Sequence, residues 1–438
     1  MKTRLYNARI LTMADDAEPF RGELWTDGGR IIFAGTDQEA AEKRRLPGDL
    51  SFDEEIDCSG NLLMPGFKNA HTHSAMTLLR SRADDLPLDK WLNEQIFPVE
   101  AKMTEDDIYH LTKLAFLEYL SGGITACFDM YLTPRSIARA AKDAGFRMVQ
   151  VGAVNNFSQS PELVEEMYRE LNGKDPFNSY IIGFHAEYTC SRDLLEKIAA
   201  LAEKYKAPVY THISETAFEV AGCRERYGMS PVAFLDSLGM FRYGGGGYHL
   251  VHVDDDDIEI LKERGMYAVT NPGSNTKLAS GIAPISRYLT AGVPVAIGTD
   301  GPASNNALDM FREMFLVTGL AKLKDNDASS VDAAEVLKMA TVNGAHAMGL
   351  DDCDTLEVGK RADLIMIDLM QPNMQPVNNI RKNLVYSGSK SNVKLVMIEG
   401  DIRYRDGEFF IGESPSDIYA QAEEIKARID REMKEQKA

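Results

Sequence analysis

The chain has 438 residues, of which 44% are hydrophobic, and its 67 acidic against 48 basic side chains give a net charge of −19. This charge argues against nucleic acids and anionic membranes as partners. The sequence contains neither the ~18 uninterrupted apolar residues of a membrane span nor a signal peptide, and its five cysteines are scattered, so we expect a cytoplasmic protein.

Both ends of the chain consist of short alternating runs separated by turns, a pattern typical of antiparallel strands. Near the start, "GELWTDGGRIIFAGT" contains a hairpin signal at "DGG". Near the end, "ADLIMIDL" and "NVKLVMIEG" show the same pattern of short strand-like runs. We predict that residues 1–64 and 357–411 together form one small β-sandwich domain. Residues 412–438 are predicted to form a charged C-terminal helix.

The middle of the chain has a different rhythm, because apolar runs of strand length alternate there with helices of period 3.6. Eight such alternations predict a TIM-like (β/α)8 barrel over residues 65–356, and hence an α/β protein. The strands are predicted at residues 67–73, 124–130, 147–154, 180–188, 207–214, 248–253, 266–272 and 293–300. We interpret Gly244–Gly247 as a flexible turn and Asp254–Asp257 as the acidic start of a helix.

Polar side chains lie where the predicted strands end. His71 and His73 are two residues apart, which puts both imidazoles on one face of the first strand. The later strands contribute His185, Glu187, His212, His249, His252, Asn271 and Asp300. Because the C-terminal ends of barrel strands converge on one face, five strands deliver a histidine or a terminal aspartate to one mouth. Independent core histidines would not fall so regularly, so we predict a metal site.

Four of these residues make a suitable set of ligands. His71, His73, His212 and Asp300 combine three imidazoles with one carboxylate and leave a coordination position open, as catalytic zinc sites do. We therefore expect one divalent transition metal per chain. Zinc is the first expectation, and three nitrogens with one oxygen also suit iron or manganese.

Three residues are candidates for handling protons and charge. Asp300 is placed to take a proton from water, and Glu215 in "THISET" is the best candidate for a general acid/base. His249 is expected to polarise the charge that develops at the attacked carbon. The sequence leaves the role of His252 open, a partner that orients His249 being one interpretation, and His346, on a helix, is assigned to packing.

The segments "MPGFKNAHTHSAMTLLR", "WLNEQIFPVEAKMTE", "HAEYTCS", "THISET", "NPGSNTKLASGIAPI" and "IGTDGPASNN" resemble the amidohydrolase superfamily. The resemblance covers nearly the whole chain and is strongest to the branch of methylthioadenosine/S-adenosylhomocysteine deaminases and triazine hydrolases. It implies the same four metal ligands, with Glu215 and His249 in catalysis. It also implies substrate contacts by Glu100 (at the ribose hydroxyls), His185, Trp91 and Glu215, and a homo-oligomer, either a dimer or a tetramer.

The expected reaction is hydrolytic deamination of an aminated purine, with release of ammonia. A 5′-modified adenosine is the first expectation for the substrate. The alternatives are a related hydrolase that acts on a pterin, a free base or a triazine, and a non-catalytic scaffold. Residues 148–168 contain neither Lys nor Arg, whereas relatives that deaminate S-adenosylhomocysteine carry arginines in this region. We therefore expect substrates with a neutral 5′ substituent.

Overall fold

The computed structural model describes residues 1–15, 17–45, 51–82, 84–86 and 90–437. Strands from both ends of the chain form one mixed sheet of nine strands. They are β1 (Lys2–Ile10), β2 (Phe20–Asp27), β3 (Arg30–Thr36), β4 (Glu54–Asp57), β5 (Leu62–Pro65), β14 (Leu364–Ile367), β15 (Val393–Ile398), β16 (Asp401–Arg405) and β17 (Glu408–Phe409). β5 pairs in parallel with β1 and antiparallel with β14, so the two terminal segments fold together as predicted. The exact domain boundaries remain predictions.

The strands between these segments form an eight-stranded parallel barrel in sequential order. They are β6 (Phe67–Thr72), β7 (Ile124–Asp129), β8 (Arg147–Val151), β9 (Asn178–Ala186), β10 (Val209–Ile213), β11 (Gly245–His249), β12 (Met266–Thr270) and β13 (Val295–Ile297). β7, β8 and β10 are buried at every position, as expected for parallel strands that are covered on both faces. The backbone N–H of Asp300 donates to the carbonyl of His71 at 2.9 Å. This hydrogen bond connects the segment after the last barrel strand to the first strand. The predicted (β/α)8 architecture is confirmed.

Helices cover the outside of the barrel, and none among the described residues is long and apolar enough to cross a lipid bilayer. Those in the barrel region are Phe97–Glu100, Glu105–Ser121, Pro134–Ala144, Pro161–Leu171, Arg192–Tyr205, Ala217–Tyr227, Pro231–Ser237, Asp255–Glu263, Pro272–Lys277, Ile285–Ala291, Met310–Asp325, Ala333–Ala340 and Val342–Ala347. Asp37–Arg45, Ile380–Tyr386 and Pro415–Lys437 are helices of the terminal segments. Asp254 and Asp257 form a capping box at the start of Asp255–Glu263, which confirms the interpretation of the acidic run.

The sixth barrel strand differs from the prediction, because Gly245–Gly247 are strand residues rather than a flexible turn. Added Cβ atoms would stand 2.0 Å from the Val209 carbonyl oxygen at Gly245 and 2.3 Å from Ile213 Cγ2 at Gly247. Glycine is therefore required by the close approach of β10, which composition alone does not reveal. The strand ends at His249, so His252 lies beyond it.

A buried ionic network joins the base of the barrel to the terminal sheet. Arg147, at the start of β8, makes two hydrogen bonds to Asp363 at 2.6 and 2.9 Å and one to Glu399 at 2.7 Å. The Nζ of Lys68, also fully buried, donates to the Gly66 carbonyl at 2.8 Å and to Thr125 Oγ1 at 2.9 Å. These charges lie at the end of the barrel opposite the strand ends that carry the histidines.

Candidate metal centre and active site

The four predicted metal ligands converge at the C-terminal mouth of the barrel. The Nε2 atom of His73 lies 3.1 Å from Asp300 Oδ1, and that of His71 lies 3.5 Å from the same oxygen. The Nε2 atoms of His212 and His73 are 3.4 Å apart. Ligands that share one tetrahedral ion at ~2.1 Å stand roughly 3.4 Å from one another, so this spacing fits a common metal.

His71 gives independent support for a metal. Its side chain is fully buried, and neither ring nitrogen makes a hydrogen bond to any described residue. Burial lowers the pKa of His71 to about 3, which leaves the imidazole neutral, the form that binds metals. A buried polar group without a partner is costly, and an ion bound to one of the two ring nitrogens would give that nitrogen a partner.

Backbone carbonyls orient two of the imidazoles. The Nδ1 atom of His73 lies 2.5 Å from the Met130 carbonyl oxygen, and that of His212 lies 2.7 Å from the His185 carbonyl oxygen. An Nδ1–H that donates to a carbonyl leaves Nε2 as the free ligand atom, and this arrangement is common around metal-binding histidines. The two Nε2 atoms therefore face each other at 3.4 Å, and that of His73 also faces the Asp300 carboxylate.

Asp300 is held from both sides. Its Oδ2 atom accepts hydrogen bonds from the hydroxyls of Ser274 at 2.6 Å and Ser304 at 2.8 Å, and its Oδ1 atom accepts one from the Gly301 N–H at 2.8 Å. Burial opposes ionisation, yet the neighbouring imidazoles hold the pKa of Asp300 well below its usual range. Oδ1 thus faces the histidines, and Oδ2 faces two serine donors.

His249 and Glu215 stand beside the ligand set. His249 offers a ring nitrogen that lies within 4.8 Å of ligand atoms of His71, His212 and Asp300. Its Nε2 atom is 3.9 Å from Glu215 Oε2 and 3.9 Å from Asp300 Oδ2. The second oxygen of Glu215, Oε1, accepts a hydrogen bond from the Ser280 hydroxyl at 3.0 Å. One oxygen of Glu215 is therefore bound to the protein, and the other faces His249.

Three residues in or next to the site have a left-handed backbone conformation. Ser214, His249 and Asp300 have φ values of 53°, 75° and 59°. Such a conformation costs roughly 1–2 kcal/mol for a residue other than glycine. The Glu219 carboxylate stabilises one of these turns, since it accepts hydrogen bonds from the backbone N–H groups of Ser214 and Glu215 at 2.8 Å each.

A cavity of about 530 Å³ opens from this cluster to the surface. The predicted substrate contacts Trp91, Glu100 and His185 all line it. Glu100 is half-buried. Desolvation raises the pKa of its carboxyl, and its buried Oε1 atom has no hydrogen-bond partner among the described residues. With Glu215 and Asp300, Glu100 is one of the three acidic residues that line the cavity.

The rim of the cavity contains residues that the sequence did not reveal. They are Leu92, Asn93, Phe97, Tyr131, Leu132, Asn155, Phe157, Ser158, Tyr188 and Thr189. Most of them lie in loops after strands, where no periodic pattern marks a residue as functional. Of the described residues that line the cavity, none is Lys or Arg.

Three other histidine and glutamate predictions have clear outcomes. His252 does not orient His249: its Nε2 atom lies 2.7 Å from the Ser280 carbonyl oxygen, while His249 Nδ1 lies 2.7 Å from Asn275 Oδ1. Glu187, expected at the mouth, is buried in an ion pair with Arg226 at 2.6 Å. His346 pairs with Asp354 at 2.9 Å, away from the cavity, which agrees with the packing assignment.

Comparison with known proteins agrees with this geometry. The sequence profile of the amidohydrolase family matches residues 62–403. Curated relatives include two proteins named 5-methylthioadenosine/S-adenosylhomocysteine deaminase. The one from Desulforudis audaxviator is 39% identical over 98% of this chain and 99% of its own. The one from Desulforamulus reducens is 40% identical over 90% of this chain and 92% of its own.

Solved structures share the whole architecture. An adenosine deaminase from Xanthomonas campestris, crystallised with bound zinc, is 33% identical over 98% of both chains, with a TM-score of 0.92. An atrazine chlorohydrolase from Arthrobacter aurescens in complex with zinc has a TM-score of 0.87 over 97% of this chain and all of its own. Its 22% identity supports the likeness of fold alone.

Proposed function

Since the chain belongs to the amidohydrolase family and is a hydrolase of C–N bonds, we propose that it deaminates 5′-substituted adenosines with a neutral 5′ group and releases ammonia. The observation that carries this proposal is the cavity over the His/Asp cluster, whose described lining includes the Glu100 carboxylate and neither Lys nor Arg. Relatives named as deaminases of adenosine or its derivatives support deamination of an adenosine derivative, without specifying the 5′ group.

His71, His73, His212 and Asp300 would hold one divalent metal, which we propose is zinc because the Xanthomonas campestris enzyme has zinc bound. When bound, such an ion would lower the pKa of water towards ~7 and make it a nucleophile at neutral pH.

In the proposed reaction, Glu215 moves protons. Its Oε2 atom, which faces His249, would take one proton from the attacking water and deliver it to the purine ring nitrogen. A second proton, lost by the hydroxyl that has added to C6, would pass to the amine, which leaves as ammonia. The imidazole of His249 would stabilise the charge that develops at C6. Asp300, whose Oδ2 atom already accepts two serine hydroxyls, would fix the orientation of the attacking water.

The preference for a neutral 5′ group follows from charge. Glu100 offers its carboxylate to a ribose diol, which favours nucleosides over free bases. A substrate carboxylate would enter a cavity whose charged lining consists of Glu100, Glu215, Asp300 and histidines. Without a guanidinium partner, the desolvation of that carboxylate would not be compensated.

The test is a comparison of kcat/KM for ammonia release from adenosine, 5′-deoxyadenosine, methylthioadenosine and S-adenosylhomocysteine. We expect the neutral members to exceed S-adenosylhomocysteine by at least tenfold. A clear preference for S-adenosylhomocysteine would contradict the neutral-substituent proposal. No turnover of any nucleoside, with activity on pterins, free bases or triazines, would contradict the nucleoside assignment.

Elemental analysis tests the metal. We expect about one zinc ion per chain and full loss of activity after chelation, with recovery when zinc is added. Full activity in a metal-free sample would contradict the mechanism. The cytoplasmic location and the dimeric or tetrameric assembly also remain proposals, and the assembly can be checked by sedimentation velocity.

A further inference from the structure

One short segment contacts all three side chains that are proposed to handle protons and charge. It comprises the helix Pro272–Lys277 and the turn that follows, up to Ser280. The Ser274 hydroxyl donates to Asp300 at 2.6 Å, the side-chain Oδ1 atom of Asn275 lies 2.7 Å from His249 Nδ1, and the Ser280 hydroxyl donates to Glu215 at 3.0 Å. The segment therefore makes one hydrogen bond to each of the three groups.

The turn that presents Ser280 is tightly defined. The N–H of Ser280 donates to the Asn275 carbonyl at 2.9 Å. The residues on either side, Ala279 and Gly281, have φ values of 54° and 128°. A Cβ added at Gly281 would stand 2.9 Å from Val251 Cγ1. The backbone on both sides of Ser280 thus has little freedom.

His252 connects this turn to the loop that carries Glu215. Its ring nitrogen lies 2.7 Å from the Ser280 carbonyl oxygen, and its backbone N–H donates to the Ser214 carbonyl at 2.9 Å. Ser280, His252 and Ser214 therefore form a continuous hydrogen-bonded path to the residue before Glu215. Ser280 is buried, which limits competition from bulk water for its hydroxyl.

We propose that Ser280 is a positioning residue for Glu215: its hydroxyl fixes Oε1 and keeps Oε2 turned towards the reacting atoms. The terminal torsion of a glutamate is broad and roughly two-fold, so an unrestrained carboxylate samples many orientations. A donor on one oxygen selects one of them. This inference rests on the proposed function, because it assigns Ser280 to the acid/base of that reaction.

The test compares Ser280→Ala with Ser280→Thr in the metal-loaded enzyme. We expect Ser280→Ala to lower kcat by roughly tenfold, a part of the ~10²–10⁴-fold that a positioned acid/base contributes, with KM changed less than about twofold. Ser280→Thr keeps the hydroxyl and should keep most of kcat. Thr276→Ala is the matched control, since its hydroxyl donates to Pro272 in the same helix and does not reach the site.

A double-mutant cycle separates positioning from a general structural role. In the Glu215→Gln background, Ser280→Ala should cost no further activity, because the carboxylate that it orients is gone. An equal loss in both backgrounds would overturn the proposal. If Ser280→Ala folds poorly, Ser280→Val against Ser280→Thr compares side chains of the same shape that differ in the hydroxyl, and equal kcat for that pair would also overturn it.

The failure of this inference can be told from the failure of the proposed function. A wild-type enzyme that releases no ammonia from any adenosine overturns both. A wild-type enzyme that deaminates adenosines, with Ser280→Ala at wild-type kcat, overturns the positioning role alone.

Discussion

Glu215 is the side chain whose two oxygens have different surroundings, since Oε1 accepts the Ser280 hydroxyl and Oε2 faces His249. We expect Glu215→Gln to retain about one metal per chain and to lose ~10²–10⁴-fold in kcat, because an amide cannot carry the proton. Turnover and metal content measured on the same preparation check this. His346→Gln, at an ion pair away from the cavity, is the control and should be silent. Wild-type turnover in the glutamine variant would remove Glu215 from the role.

Phe157 is an aromatic ring at the rim that remains 85% exposed although it lines the cavity. Its loop is held by the Asn155 side chain, which accepts the N–H groups of Phe157 and Ser158 at 2.8 Å each. A substrate with an apolar 5′ group would cover the ring, and burial of part of a Phe side chain contributes roughly 1–2 kcal/mol. Phe157→Ala should therefore lower kcat/KM for methylthioadenosine several-fold more than for adenosine.

Phe218 provides the matched control for that experiment. It is 87% exposed and is not part of the described cavity lining. Phe218→Ala should change neither substrate's kcat/KM. An equal effect of Phe157→Ala on both nucleosides would mean that the ring acts on the shared purine or ribose instead.

At the scale of elements, Glu313 connects the helix Met310–Asp325 to the loops around the site by hydrogen bonds. Its carboxylate accepts hydrogen bonds from the Gly273 N–H and the Asn305 side chain at 2.8 Å each. Burial raises the pKa of Glu313 from 4.5 to about 7. The folded protein therefore keeps this proton to a higher pH than the unfolded chain does. The contribution of protonated Glu313 to the stability of the folded state is complete below pH 4.5 and is lost as pH rises towards about 7.

The variant Glu313→Gln has no proton to lose, so its Tm should depend less on pH than that of the wild type between pH 5 and 8. Relative to the wild type, it should gain on the order of 1–3 kcal/mol over that interval. Thermal unfolding at several pH values measures the difference. Glu335→Gln, on an exposed part of a neighbouring helix, should follow the wild-type curve. Parallel curves for wild type and Glu313→Gln would contradict the argument.

The elements also show what a sequence can reveal about such a site. The barrel strands were predictable because each is an apolar run between helices, and His71, His73, His212 and Asp300 because they follow those runs. β11 was displaced in the prediction, since a strand of glycines is dictated by the close approach of β10. Ser274 and Asn275 contact the site from the six-residue helix Pro272–Lys277, and Ser280 from a turn with a left-handed residue at Ala279. No local sequence pattern predicts either contact.

At the scale of the whole molecule, Arg147 joins the barrel to the terminal sheet through Asp363 and Glu399. Removal of one partner of a buried ion pair costs roughly 3–5 kcal/mol, because the remaining charge is left without compensation. Arg147→Met should therefore lower Tm by roughly 5 °C or more, while metal content and the kcat of the folded protein stay unchanged.

Arg139→Met serves as the control for Arg147→Met, since Arg139 is largely exposed and its ion pair with Asp106 is at the surface. Its effect on Tm should be within about 1 °C, as surface pairs contribute little. A large loss of metal in Arg147→Met would contradict this expectation. It would show that the ion pairs of Arg147 affect metal binding at the opposite end of the barrel.

The pairing of β5 with β14 also has a consequence for the order in which the protein is made. Residues 62–65 leave the ribosome early, whereas their partners, residues 364–367, follow only after the whole barrel has been synthesised. Throughout that interval β5 has a free edge, and a free edge is a template for pairing with another chain. A nascent chain that stops before residue 364 keeps that edge permanently, so truncated products should aggregate even when their barrel sequence is complete.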